Sequence, residues 1–235
     1  MYIKKIVIFL LAVSTIGFSQ QPFAAEEVSS IARGGMLYDN WYKVLGTGRP
    51  GGRHPAWPAS NRSKTGAVTH RCKSCHGWDL MGKDGAYASG SYKTGIKGLK
   101  EMQGASTEKV ISIIKDSTHG YAEKMSEQNF TDLANFVTKG QIDMASFIDL
   151  KTKKVKGNLN QGEGYYNTVC AKCHGELGQA QEGMHALGKL ANENPWETIQ
   201  KIQNGQPDED MPALRAFDLQ ASVDILAYIQ TLPKN

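Results

Sequence analysis

The chain has 235 residues, a length that suits one large domain or two small ones. Hydrophobic residues make up 40% and charged residues 21%, which excludes a disordered or collagen-like chain. The formal net charge is +4, falling to +2 once Lys4 and Lys5 are set aside as argued next. Nucleic-acid binding rests on concentrated Lys and Arg, so no nucleic-acid partner is expected.

Met1 to Lys5 carries two lysines, Ile6 to Val13 is an unbroken apolar run, and small and polar residues follow to Phe23-Ala24-Ala25. This order is that of a secretory signal peptide over residues 1–25, with cleavage after Ala25 favoured over cleavage after Ser19. A spanning helix needs roughly 20 apolar residues, and Ser14, Thr15, Ser19 and Gln20 interrupt this one. The mature protein is therefore expected to be exported to a bacterial periplasm or beyond, soluble, with no stable membrane insertion.

Gly34 to Trp41 reads as an opening helix. From about residue 45 to 70, Gly46, Gly48, Pro50, Gly51, Gly52, Pro55 and Pro58 predict a loop lying over the fold rather than a helix or central strand. Trp57 within it either covers a cofactor edge or fills a gap. His54, His70 and His185 read as surface or loop residues, with His54 the one able to approach a nearby site.

Cys72-Lys73-Ser74-Cys75-His76-Gly77 and Cys170-Ala171-Lys172-Cys173-His174-Gly175 are two copies of C-x-x-C-H-G. This spacing marks covalent attachment of c-type haem. Two cysteines three apart add to the two vinyl groups on one porphyrin edge, and the adjoining histidine offers an imidazole nitrogen to the iron. Zinc, with four N or S ligands, and a redox-active dithiol are the competing readings. Neither requires a histidine directly after both second cysteines, whereas haem attachment outside the cytoplasm agrees with the export signal. These motifs use all four cysteines, so none is left for a structural disulfide.

The repetition extends further. Phe130 to Val137 matches Ser222 to Ile229, each with one helical stripe at i, i+3, i+4, i+7. Ser126 and Asp218 stand at the N-cap positions, and Gly140 and Pro233 stop the two helices. Gly162 to Asn167 reads as the end of a short helix leading into Cys170. Between the halves, Lys151, Lys153, Lys154 and Lys156 suggest an exposed linker.

This order of elements resembles the class I cytochrome c fold, over most of residues 30–140 and 158–235. The resemblance implies a mainly α chain of two cytochrome c-like helical domains in tandem, each wrapped around one covalent haem. Domain 1 then spans 26–140, with the inserted loop at about 45–70. A linker spans 141–157, and domain 2 spans 158–235. Cys72, Cys75, Cys170 and Cys173 would attach two haem c groups, with His76 and His174 as proximal iron ligands. Met211, in a polar loop before the closing helix, stands where such cytochromes place a thioether ligand. A gap-free match of the closing helices, Asp132 on Asp224, carries an offset of 92 residues and brings His119 onto Met211. His119 is therefore the expected sixth ligand of the first haem, ahead of Met125, which falls on Phe217 and reads as a residue stapling the helix start. Met81 and Met102 are weaker candidates.

The function implied is electron transfer between redox partner proteins by an exported carrier, with no catalytic residue assigned. The alternative is a dihaem redox enzyme, peroxidase-like or sulfur-compound oxidising, or a cytochrome subunit of a larger oxidoreductase. An enzyme would need one labile sixth ligand and acid/base groups over the iron.

Overall fold

Helices carry most of the structure, a computed structural model that describes residues 21–235. In chain order they are α1 (Gln21–Val44), α2 (Cys72–His76), α3 (Thr107–Ile114), α4 (Glu127–Lys139), α5 (Leu159–Tyr165), α6 (Ala171–His174), α7 (Leu187–Glu193), α8 (Pro195–Asn204) and α9 (Leu219–Ile229). Among the described residues, β structure amounts to two isolated bridges, Gly82 with Lys97 and Ile148 with Val155. The expected leader lies outside the described residues except for its last five. No helix among those described is long and apolar enough to cross a membrane.

Helix α1 breaks its helical geometry at Asn40 and buries Ile31, Leu37, Tyr38 and Trp41. It crosses α4 at Gly34, where a Cβ would overlap the Asp132 carbonyl. Only glycine permits so close a backbone approach. The Asp132 carboxylate, itself buried, then accepts from Ser30 Oγ at 2.7 Å and pairs with Arg33 at 2.9 Å.

The second half repeats this crossing. A Cβ at Gly162 of α5 would overlap the Asp224 carbonyl of α9, and Asp224 Oδ1 accepts from the Asn158 N–H at 2.8 Å. Tyr38 donates its hydroxyl to the Gly77 carbonyl and Tyr166 does the same to Gly175, at 2.5 and 2.7 Å. Ser126 and Asp218 cap α4 and α9 by accepting from Asn129 N and Gln220 N, at 3.3 and 2.9 Å. Asp132 and Asp224 thus occupy one structural position, in the register that pairs them in sequence.

One core gathers Leu37, Tyr38, Phe130, Leu133 and Phe136. The other gathers Tyr166, Ile199, Ile225 and Leu226, but also takes in Trp78 and Tyr87 from the N-terminal half. Ile142, Met144, Phe147 and Ile148 join it as well, which corrects the expectation of an exposed linker at 141–157. These apolar residues, which precede the lysines, pack inward, while Lys151, Lys154 and Lys156 keep their charges in water. Further ties join the halves. Gln200 donates to the Trp78 carbonyl at 3.0 Å, and Arg215 donates to the Gly140 carbonyl at the end of α4 at 3.2 Å.

The inserted segment is irregular as expected until Gly66–His70, which closes into a 3-10 turn. Trp57 is buried inside it and donates to the Asn61 carbonyl at 3.3 Å, so it fills the loop. His54 and His70, expected near the surface, are only 7% and 5% exposed. The loop folds back until the His54 ring stacks on Tyr121 at 5.7 Å and meets the edge of His70 at 5.1 Å. His185 is exposed as expected.

Gly34→Ala should cost about 2–3 kcal/mol of holo-protein stability, because the added methyl forces α1 off α4. Gly48→Ala, a site with open space around it, should stay within about 0.5 kcal/mol. Urea unfolding followed by circular dichroism distinguishes the two.

Candidate haem sites

Each C-x-x-C-H segment is a single helical turn, α2 or α6, and each ends on a glycine of positive φ, Gly77 at 83° and Gly175 at 75°. A residue with a side chain would be strained there. The reversal returns the chain under the turn, and the His76 and His174 carbonyls accept from Gly82 N and Ala180 N at 2.8 and 3.0 Å. The helical turn places its two cysteines, three apart, on one face. Burial pushes the thiols of Cys72 and Cys75 up to about 12, and that of Cys170 up to about 11. A redox-active dithiol depends on the opposite shift. Among the described residues, no three His, Cys, Asp or Glu side chains converge as a metal-ion cage.

In the N-terminal half His76 faces His119. Their ring centroids lie 6.5 Å apart with planes 19° from parallel. An iron between two imidazoles, with metal–nitrogen bonds of about 2 Å each, sets the rings at about that separation. The outer nitrogens are occupied: His76 Nδ1 hydrogen-bonds the Lys97 carbonyl at 2.9 Å and His119 Nδ1 hydrogen-bonds Asp116 Oδ1 at 3.0 Å. Each ring therefore keeps Nε2 for a metal, the arrangement in which a second hydrogen bond fixes a ligating imidazole. Burial lowers the His76 pKa to about 4, so its ring is neutral near pH 7. His54 supports the far side of the slot. Its Nδ1 accepts from the Ala56 N–H at 3.1 Å, which leaves Nε2–H to donate to the His119 carbonyl at 3.0 Å. Met125 and Met102 pack instead against the first core. Phe217 is 65% exposed, so the staple expected from the match of Met125 to Phe217 does not form at α9.

In the C-terminal half Cys170, Cys173, His174 and Met211 line one cavity of about 1070 Å³, with Leu187, Leu190, Ile202, Leu214 and Ile229. The His174 Nδ1 is buried without a hydrogen-bond partner, and burial lowers the ring's pKa. A void this large, mainly apolar, with two thiols and an imidazole at its wall, fits a haem attached through Cys170 and Cys173.

The mouth of this cavity carries a charged group absent from the sequence reading. Asp39, buried on α1, pairs with Arg71, the residue before Cys72, and with Lys201 on α8. Burial alone would raise the Asp39 pKa, but the Lys201 and Arg71 charges outweigh it and hold the carboxyl below the usual range. Asp116 and Lys97 also escaped the sequence reading as partners of the His76–His119 pair, whereas His54 was expected only to approach the site. The one local signal was an Asp three residues before His119.

Residues 157–229 match the family model described as cytochrome c oxidase, cbb3-type, subunit III. The matched stretch contains the second C-x-x-C-H motif and Met211. Residues 157–229 thus carry a cytochrome c domain, a kind of domain that implies covalently bound haem c and electron transfer through it. No curated protein and no solved structure matches the chain.

Asp39→Ala leaves two cations facing each other in a buried site. It should cost about 3–5 kcal/mol, read by urea unfolding of the holo-protein. Because the folded pKa lies below the unfolded value of about 3.9, the Asp39 contribution is present at neutral pH. It is lost progressively as pH falls below about 4 and through the depressed folded pKa, so the gap in stability between variant and parent should narrow with falling pH in that range.

Proposed function

We propose that the protein is an exported, soluble dihaem cytochrome c that relays electrons between two redox partner proteins. The supporting observation is the His76–His119 pair, set at an iron's spacing directly beside Cys72 and Cys75, in the half that the family match does not reach. The duplicated crossings, Gly34 on Asp132 and Gly162 on Asp224, support two cytochrome c domains, 26–140 and 158–235, rather than one. His76 and His119 ligate the first iron, and His174 and Met211 the second. When bound, each haem supplies one iron that cycles between ferric and ferrous states.

The chain's own residues set the direction of transfer. A thioether ligand raises the reduction potential relative to a second imidazole. Met211 therefore makes the second site the better acceptor, and electrons run downhill from the first half to the second. The Lys97 carbonyl and Asp116 hold the two imidazoles of the first site, so neither position is left open for substrate. A second reading, that the chain serves as the cytochrome subunit of a larger oxidoreductase, draws on the description of the matched family.

Mass spectrometry of the exported protein should show the chain without its leader plus two haems, and replacing Cys72 and Cys75 together should remove one. In the oxidised protein, the red charge-transfer band of a Met-ligated haem should have the intensity of one haem. Met211→Ala should abolish that band. His119→Ala should leave it and make the first haem high-spin. A band of double intensity, halved by Met125→Ala, would show two His/Met haems instead.

A further inference from the structure

The cavity at Cys170 and Cys173 is not enclosed by the C-terminal half alone. Its remaining wall comes from the N-terminal half: the end of α1 at Asn40, Tyr42 and Lys43, then Arg49 and the stretch Thr65 to Arg71 just before Cys72. The charged side chains on that wall are Asp39, Lys43, Arg49 and Arg71, three cations against one carboxylate. The carboxylate is already committed. Asp39 is 3% exposed and takes both Arg71 and Lys201, whose side chains are 18% and 16% exposed. Two cations on one buried carboxylate leave one positive charge in excess within that cluster. Among the described residues, no carboxylate pairs with Lys43 or Arg49 either.

The acids that also line this cavity lie on the opposite half. Glu209 and Asp210 precede Met211, Glu182 lies in the loop before α7, and Glu197 of α8 accepts from Asn194 Nδ2 at 2.8 Å. None of them pairs with Arg71 or Lys201 among the described residues.

A haem is an apolar macrocycle except for two propionate carboxylates, carried on the edge away from the vinyl-derived thioethers. A buried unbalanced cation is costly unless an anion meets it, and planar guanidinium is the side chain best shaped to grip a carboxylate.

We infer that the first half of the chain completes the second haem site: Arg71 and Lys201, with Arg49 at the mouth, hold the propionates of the haem attached at Cys170 and Cys173. This rests on the reading of that cavity as a haem site. It makes the two halves one functional unit. Arg71 directly precedes Cys72, so the grip on the second haem is one residue from the attachment of the first.

The test uses the exported holo-protein and the variants Lys201→Gln, Arg49→Gln and Arg71→Gln, singly. Each of the first and third leaves Asp39 one cationic partner, so the fold survives, and Arg49 has none to lose. Removing a cation beside the propionates favours the ferric state. The midpoint of the Met-ligated haem should fall in Lys201→Gln and in Arg71→Gln by roughly a tenfold change in the reduction equilibrium, about 59 mV for one electron. Arg49→Gln should shift it in the same direction by less, and Arg49→Lys should restore it. The resonance Raman propionate-bending mode of that haem should move in the same variants, which a purely structural role would not produce. An unchanged midpoint and an unmoved propionate mode in both Lys201→Gln and Arg71→Gln overturn the inference. Haem count by mass on the same samples tests the dihaem reading separately: shifts in a chain carrying one haem, at Cys170 and Cys173, support the propionate assignment while overturning two haems.

Discussion

The approach of an opening helix to a closing helix, backbone against backbone, is the constraint on which the remaining structure depends. At Gly34 over Asp132, and again at Gly162 over Asp224, the missing side chain lets two helices touch at the main chain. The aspartate buried beneath each crossing would be costly alone, and its Oδ1 accepts from the partner helix or its cap, from Ser30 in one case and the Asn158 N–H in the other. Once the helices are locked, the turn bearing each C-x-x-C-H is tied beneath them by the hydroxyls of Tyr38 and Tyr166. His76 and His174 are therefore placed by the crossing, not by the short helices they sit on, which are too brief to be stable by themselves.

Although built on one plan, the halves diverge at the ligand loops. In the first, Asp116 and the inserted segment surround His119, and the insert contributes His54 as a prop behind it. In the second, the corresponding loop carries Met211 after three acidic residues and opens onto a large cavity. A well-held imidazole on one side and a thioether on the other would separate two irons in potential while leaving the scaffold unchanged.

The halves also depend on each other. Trp78 follows the first motif yet is buried in the core of the second half, its carbonyl accepting from Gln200. Arg215, on the loop between Met211 and α9, is half-buried without a carboxylate partner and donates to the Gly140 carbonyl that ends α4. A cation at a helix C-terminus is favoured by the exposed carbonyls and the dipole there. The loop that carries Met211 is thus anchored on the first half. The connecting segment packs for the same reason, since Ile142, Met144, Phe147 and Ile148 cover apolar surface that either half alone would expose.

The sequence alone determined what is local or periodic. The C-x-x-C-H motifs are read from their fixed spacing, the closing helices from an apolar stripe between cap and stop residues, and the register of Asp132 on Asp224 from an ungapped match of those helices. Tertiary structure decided everything that depends on neighbours distant in the chain. His54 and His70 are buried because a glycine- and proline-rich loop folds onto Tyr121, a docking that composition does not encode. The lysines of the connecting segment drew the reading away from the apolar residues before them, because only a facing core distinguishes a packed strap from a solvated linker. Asp39, Arg71 and Lys201 lie on three separate elements, and no spacing rule links them. Their charges meet only because α1 and α8 pack together and bury the carboxylate between them.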